Sequence, residues 1–130
     1  MKNFDFIIKL AEVIPSFSQL HAYCDKAEIF QKTFPEESAS NARKALEWLV
    51  KNHLHMANVT LEPRETLNEM LKHPEMDAFI DEDWEFERDM RTVKKIGNYA
   101  SHTGAQQVKK NDAFICLRAL YYVVSGFLFR

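Results

Sequence analysis

Ala113-Phe114-Ile115-Cys116-Leu117-Arg118-Ala119-Leu120-Tyr121-Tyr122-Val123-Val124-Ser125-Gly126-Phe127-Leu128-Phe129 is the stretch on which the fold turns. It is apolar almost all round, interrupted by Arg118, Ser125 and Gly126. A membrane span needs about twenty such residues, so this shorter run with an arginine inside it falls short. A helix that is apolar on every side, yet too short to cross a bilayer, belongs inside a bundle. The expectation is therefore a central helix, capped at its start by Asn111 or Asp112.

Working outward, the preceding segments carry the amphipathic period needed to surround such a helix. Asp83 is expected to cap a long one, with Phe86, Met90, Val93, Ile96 or Gly97, and Ala100 facing inward. It should end near His102-Thr103-Gly104, with Gly104 in the left-handed closing position, before a polar loop from Ala105 to Lys110. Further back, Pro35 followed by Glu36 and Glu37 is a good helix start, since proline suits the first turn and acids suit the positive end of the dipole. Ala39, Ala42, Leu46, Leu49, Val50, His53 and Leu54 then share one face, whose alanine-lined first half lets another helix approach closely.

Asn58 to Arg64, around Pro63, reads as a loop; a short helix over Thr66–Lys72 and a fragment over Met76–Ile80 follow. At the amino end, Asn3 caps a short helix with Phe4, Ile7, Ile8 and Ala11, stopped by Pro15. Ser16 opens another with Leu20, Tyr23, Cys24, Ala27 and Phe30, closed by the Thr33-Phe34-Pro35 turn. The expected fold is all-α, a bundle of about five main helices with one or two short extra ones.

Composition agrees. The 130 residues (15.2 kDa) are one domain's worth of chain, and 46% hydrophobic with 28% charged residues is the balance of a soluble globular domain. Three glycines and four prolines are too few for the corners of a β-sandwich or barrel. A formal charge of −2 excludes a strongly cationic nucleic-acid coat, though not a local basic patch. Cys24 and Cys116 sit in no CxxC pair, and no signal peptide precedes them, so two reduced, buried thiols in a cytoplasmic protein are expected.

The string Lys94-Lys95-Ile96-Gly97-Asn98-Tyr99-Ala100-Ser101-His102 is the most unusual place for chemistry. A helix stacks Asn98 and His102 on one face with Lys94 or Lys95 a turn earlier, an amide, an imidazole and an amine suited to a phosphodiester. On residue types alone a plain hydrogen-bonding role at the helix end is favoured, because helix C-termini attract histidine. Gly97 inside a helix costs about 1 kcal/mol relative to alanine and calls for close contact with a neighbouring helix.

Arg43 and Glu47, four apart on the alanine-lined helix, form a second constellation, worth about 0.3–0.5 kcal/mol as a surface pair. If drawn into the bundle, the pair would orient the Asn98–His102 cluster. No metal site is expected: His21 and Cys24 share a helical face without a second ligand pair, and His53 sits on the apolar stripe. The acidic run Asp81, Glu82, Asp83, Glu85 and Glu87 reads as a solvated helix start. Lys94, Lys95, Lys109 and Lys110 flank His102 and suggest a small basic patch. Phosphate-loop, GxGxxG and GxSxG motifs are missing from the sequence.

Four segments together carry a family resemblance: Asn3-Phe4-Asp5-Phe6, Ala42-Arg43-Lys44-Ala45-Leu46-Glu47, Gly97-Asn98-Tyr99-Ala100-Ser101-His102 and the apolar last helix. The whole chain, residues 1–130, resembles the HEPN-like domain of unknown function at the amino terminus of type I restriction enzyme R subunits and related helicases. The Gly-Asn-x-x-x-His string is the most specific of its motifs. The resemblance implies an α-helical bundle that serves docking or assembly without catalysis. ATP and Mg²⁺ are expected only for a parent motor and nuclease, with no cofactor in this domain. The implied partners are other domains or subunits of a restriction complex, or a second copy of this chain, with weak or indirect nucleic-acid contact and no membrane.

Many members of the wider HEPN superfamily are metal-independent ribonucleases with four to six residues between an arginine and a following histidine. Here His102 matches the histidine, and Lys95, with six residues between, stands where the arginine would be. Lysine keeps the charge but lacks the planar fork that grips phosphate twice. A free-standing ribonuclease or RNA-binding domain centred on His102, with Asn98 and Lys95 in support, is thus the alternative. The chain stops at Phe127-Leu128-Phe129-Arg130 inside an apolar helix, which fits the amino-terminal domain of a longer polypeptide.

Overall fold

A computed structural model describes residues 2–101 and 108–129, the side chains of Phe79 and Ser101 excepted. In chain order the helices are α1 (Phe6–Val13), α2 (Phe17–Ile29), α3 (Pro35–Met56), α4 (Leu67–Leu71), α5 (Asp77–Glu82), α6 (Trp84–Ser101) and α7 (Lys110–Leu128), with a 3-10 turn over Pro74–Met76 before α5. Among the described residues there is no strand. The chain is an all-α helical bundle.

Local chemistry sets most of the helix limits. Ile14 is extended, as the residue before proline must be, and α1 stops there. Asn3 does not cap α1. Its side-chain amide and backbone N–H instead donate to Glu28 near the end of α2, at 2.8 and 3.2 Å, so it ties the chain start to the second helix. Pro35 occupies the first turn of α3 with Glu36 and Glu37 beside it.

At the far end of α3, Asn58 takes the left-handed conformation with φ of 62°. The Asn58 and Val59 amides then return to the carbonyls of His55 and Leu54 at 3.0 and 2.9 Å, closing the helix on its own unpaired carbonyls. Thr66 and Glu69 cap α4 reciprocally. The Asp83 carboxylate accepts from the Phe86 amide at 3.0 Å and starts α6, as expected. At α7 the position is shifted: Asp112 lies in the first turn and accepts from the Lys109 amide at 3.0 Å, rather than preceding the helix.

The hub of the bundle is α3, which packs on α2, α4, α6 and α7. Its Ala39, Ala42, Ala45, Leu46, Leu49, Val50 and Leu54 are buried together with Leu20, Cys24 and Ala27 of α2, Val93 of α6, and Leu120, Val123 and Val124 of α7. The buried Ser38 hydroxyl donates to the Ala27 carbonyl at 2.5 Å, satisfying one of the last carbonyls of α2. The last helix is not the centre. It buries Ala113, Cys116, Ala119, Leu120, Val123 and Val124 along one stripe, while Phe114, Ile115, Tyr121 and Tyr122 are 39–52% exposed on its other side. The apolar run is an amphipathic helix whose outward face carries aromatics around Arg118.

Gly97 explains how α6 reaches α3. A Cβ there would lie 2.5 Å from the Cβ of Arg43 and 3.2 Å from the Ala39 carbonyl oxygen, so only glycine allows this approach. Gly126 lies against the Phe86 ring, 3.0 Å from where its Cβ would be, a tight contact that a shift of the ring by a few tenths of an ångström would relieve.

Both cysteines are buried free thiols. Burial, with the Glu28 and Asp25 carboxylates nearby, pushes the Cys24 thiol far up, and burial pushes Cys116 up to about 12. Neither is a thiolate near neutrality. At pH 8 a thiol reagent should therefore label neither cysteine in the folded chain within minutes, and both once denaturant is added, read by mass spectrometry.

The loop before α4 is pinned by His73, whose Nε2 lies 2.5 Å from the Glu65 carboxylate. That hydrogen bond holds the Glu65 carboxyl below its ordinary 4.5. A depressed carboxyl contributes stability above its unfolded value and loses it as pH falls through the lower folded value. Below pH 4.5, hydrogen-exchange protection in residues 66–72, taken against the intrinsic exchange rate at each pH, should thus fall, and Glu65→Gln should flatten that dependence.

Candidate functional site

Of the residues singled out from the sequence, Arg43 and Glu47 lie on α3 and Lys94, Lys95 and Asn98 on α6, the two helices that meet at Gly97. Arg43 and Glu47 pair at 3.0 Å as expected, both partly exposed. The stem of Arg43 passes under Gly97, and its Nε is buried without a hydrogen-bond partner among the described residues. The pair thus meets α6 one residue from Asn98, which is half-buried. Lys94 is not free: its ammonium donates to the Asn68 side chain at 2.9 Å and ties α6 to α4. Lys95, Lys109 and Lys110 are exposed. His102, like the expected Gly104 helix stop, lies outside the described residues.

Other candidates fall where the plainer reading put them. His53 stands edge-on to the Phe127 ring, 5.9 Å between centroids, in the manner of a packed core histidine. The acidic run starts α6: Asp83 caps it and Glu87 pairs with Arg91. Cys24 faces the core, so it cannot share a ligand face with His21. A concavity of about 870 Å³ lies between the last turns of α3 and the 59–63 loop. It is lined by Trp48, Lys51, Asn52 and His55, and not by Arg43, Glu47, Lys94, Lys95 or Asn98.

A surface that sequence reading missed lies on α6 and α7. Three concavities of about 440, 310 and 240 Å³ adjoin there, and Arg118 and Tyr122 line all of them. Phe114 joins the two smaller ones, and the first runs on to Phe86 and Gly126. Tyr121 and Tyr122 stack edge to face at 5.9 Å, and Tyr121 also meets Phe4 and Phe6 at 5.9 and 6.3 Å. The Asn3–Phe6 segment thus serves as the floor that holds the outward aromatics of α7 in place. At the start of α6, Trp84 is 67% exposed, with the Arg88 guanidinium over its ring at 5.2 Å.

Charge on this surface is sorted by depth. Asp89 is largely covered, and burial pushes its carboxyl up although Arg88 and Arg118 beside it pull the other way. Arg88 and Arg118 face outward. The outward side of this surface is an aromatic row with guanidinium groups at its edge. No helix among the described residues is long and apolar enough to cross a membrane.

No family model, curated protein or solved structure matches the chain.

Proposed function

We propose that the domain is a non-catalytic docking module of a type I restriction R subunit, and that it docks through the outer face of α7. The observation that carries this reading is the exposed row Phe114, Ile115, Tyr121 and Tyr122 around Arg118. Burying a large apolar side chain is worth about 1.5–3 kcal/mol, so a water-facing row of four forgoes a large stabilisation unless something covers it. Tyrosine, phenylalanine and arginine are also the residue types on which protein contacts most depend.

The occupant this face suits is an apolar protein surface carrying a carboxylate for Arg118. The family resemblance supplies its source, another domain or subunit of the same restriction complex. The Gly97 string supports a docking role as well, because packing against Arg43 and Ala39 already accounts for its glycine. In the assembled R subunit, the motor and nuclease would lie beyond Arg130, with ATP and Mg²⁺ used there.

The test is a binding titration of the domain against the remainder of its R subunit. Saturable binding that Tyr122→Asp weakens at least about tenfold, about 1.4 kcal/mol, supports the proposal. Absence of binding, or equal binding by the variant, contradicts it. The alternative, a ribonuclease centred on His102 with Asn98 and Lys95, makes a separate prediction. Under the docking reading, wild-type protein and His102→Ala leave single-stranded RNA equally intact over hours; cleavage lost in the variant would favour the nuclease.

A further inference from the structure

We infer that Asp5, His21 and Asp25 form a binding site for a divalent transition-metal cation. The three side chains come together through the packing of α1 on α2. His21 and Asp25 are one turn apart on α2 and project from one side of it, while Asp5 arrives from the residue that precedes α1. One ligand atom from each lies within 4.8 Å of the other two.

The spacing fits an ion better than it fits the contacts the three make among themselves. The Nε2 of His21 is 3.4 Å from the Asp5 carboxylate, the long limit for a hydrogen bond. Zinc binds nitrogen and oxygen at about 2.0–2.2 Å, which sets neighbouring ligands of a tetrahedral ion about 3.4 Å apart. Two ligands already stand at that separation. The two edges to Asp25 are no longer than 4.8 Å, and the present partner of its carboxylate is the half-exposed Lys2 ammonium at 3.1 Å.

Burial and charge point the same way. The ligand side chains are 22–30% exposed, shielded enough to strengthen coordination and open enough to admit an ion with a water as fourth ligand. Asp5, Asp25 and Glu28, one turn beyond Asp25 on α2, bring three carboxylates to this corner, and among the described residues the Lys2 ammonium pairs with Asp25. One imidazole with two carboxylates is a donor set for Zn²⁺ and neighbouring first-row cations. The Asp5 carboxylate is oriented by the Lys2 amide at 3.3 Å, as metal-bound carboxylates commonly are. A bound ion fastens the chain start, and with it the Phe4 and Phe6 floor under α7, onto α2.

Isothermal titration of the chelator-treated chain with ZnCl₂ tests this, with CoCl₂ absorption reporting the coordination. One ion per chain and a raised Tm are expected. His21→Ala and Asp25→Asn should each weaken binding at least about tenfold, whereas Lys2→Ala, which removes the competing ammonium and no ligand, should tighten it. No saturable binding, or binding unchanged in both ligand variants, overturns the site. Should those variants fail to fold, Lys2→Ala decides alone: unchanged or weaker binding in it overturns the site too.

Discussion

Gly97→Ala destabilises the domain by about 1–3 kcal/mol, the usual range for forcing extra atoms into a packed contact. The same change in an open helix would stabilise it by about 1 kcal/mol, so the sign alone is informative. The added methyl would meet the Arg43 Cβ at 2.5 Å, and a Cβ cannot swing away as the tip of a long side chain can. Either α6 lifts from α3 or the Arg43 backbone shifts, and both disturb the central contact of the bundle. Thermal unfolding followed by circular dichroism should show a Tm lower by about 4 °C per kcal/mol. A raised Tm would mean that the helices do not approach so closely.

Leu46→Ala should cost about 2–5 kcal/mol, the range for truncating a large side chain in a closed core. Leu46 is fully buried on α3, the helix that packs on α2, α4, α6 and α7. Tyr122→Ala provides the contrast. Tyr122 is 52% exposed on α7, and its loss should change the stability of the isolated domain by no more than about 0.5 kcal/mol. Urea unfolding of both variants measures the difference directly. Equal costs would place α7, not α3, at the centre.

That contrast also shows what was legible in the sequence. The spans of α2, α3 and α6 follow from apolar residues at steps of three and four, from Pro15 and Pro35, and from the Asp83 cap. Gly97 was legible as a close approach, and the alanine-lined start of α3 as one side of it; that Arg43 and Ala39 were the residues met required the fold. The last helix misled because an apolar run says nothing about which side is covered. One signal was present all the same: Arg118, with Phe114 and Tyr122 four residues to either side, marks the outward face.

The Asp5–His21–Asp25 cluster was hidden for a different reason. Sequence spacing pairs His21 with Cys24, yet on α2 Cys24 turns into the core and Asp25 stands beside His21. Asp5 joins them from sixteen residues upstream of His21, through the packing of α1 on α2. Asn3 was legible as a polar helix start, but its amide is taken by Glu28. Tertiary pairing overrode local capping there.

The four segments behind the family resemblance form two contacts. Asn3–Phe6 lies under Tyr121 of α7, and the Arg43 turn of α3 lies under Gly97 of α6. One contact joins α6 to the hub, and the other braces the aromatic face proposed to dock.

The docking proposal is tested most directly by a photocrosslinking amino acid placed at position 122 in the R subunit to which that proposal assigns the domain, with position 44, an exposed site on α3, as the control. A crosslink from position 122 to another domain or subunit of the restriction complex, with none from position 44, is the predicted result. No crosslink from position 122, or equal crosslinking from the two positions, would contradict it.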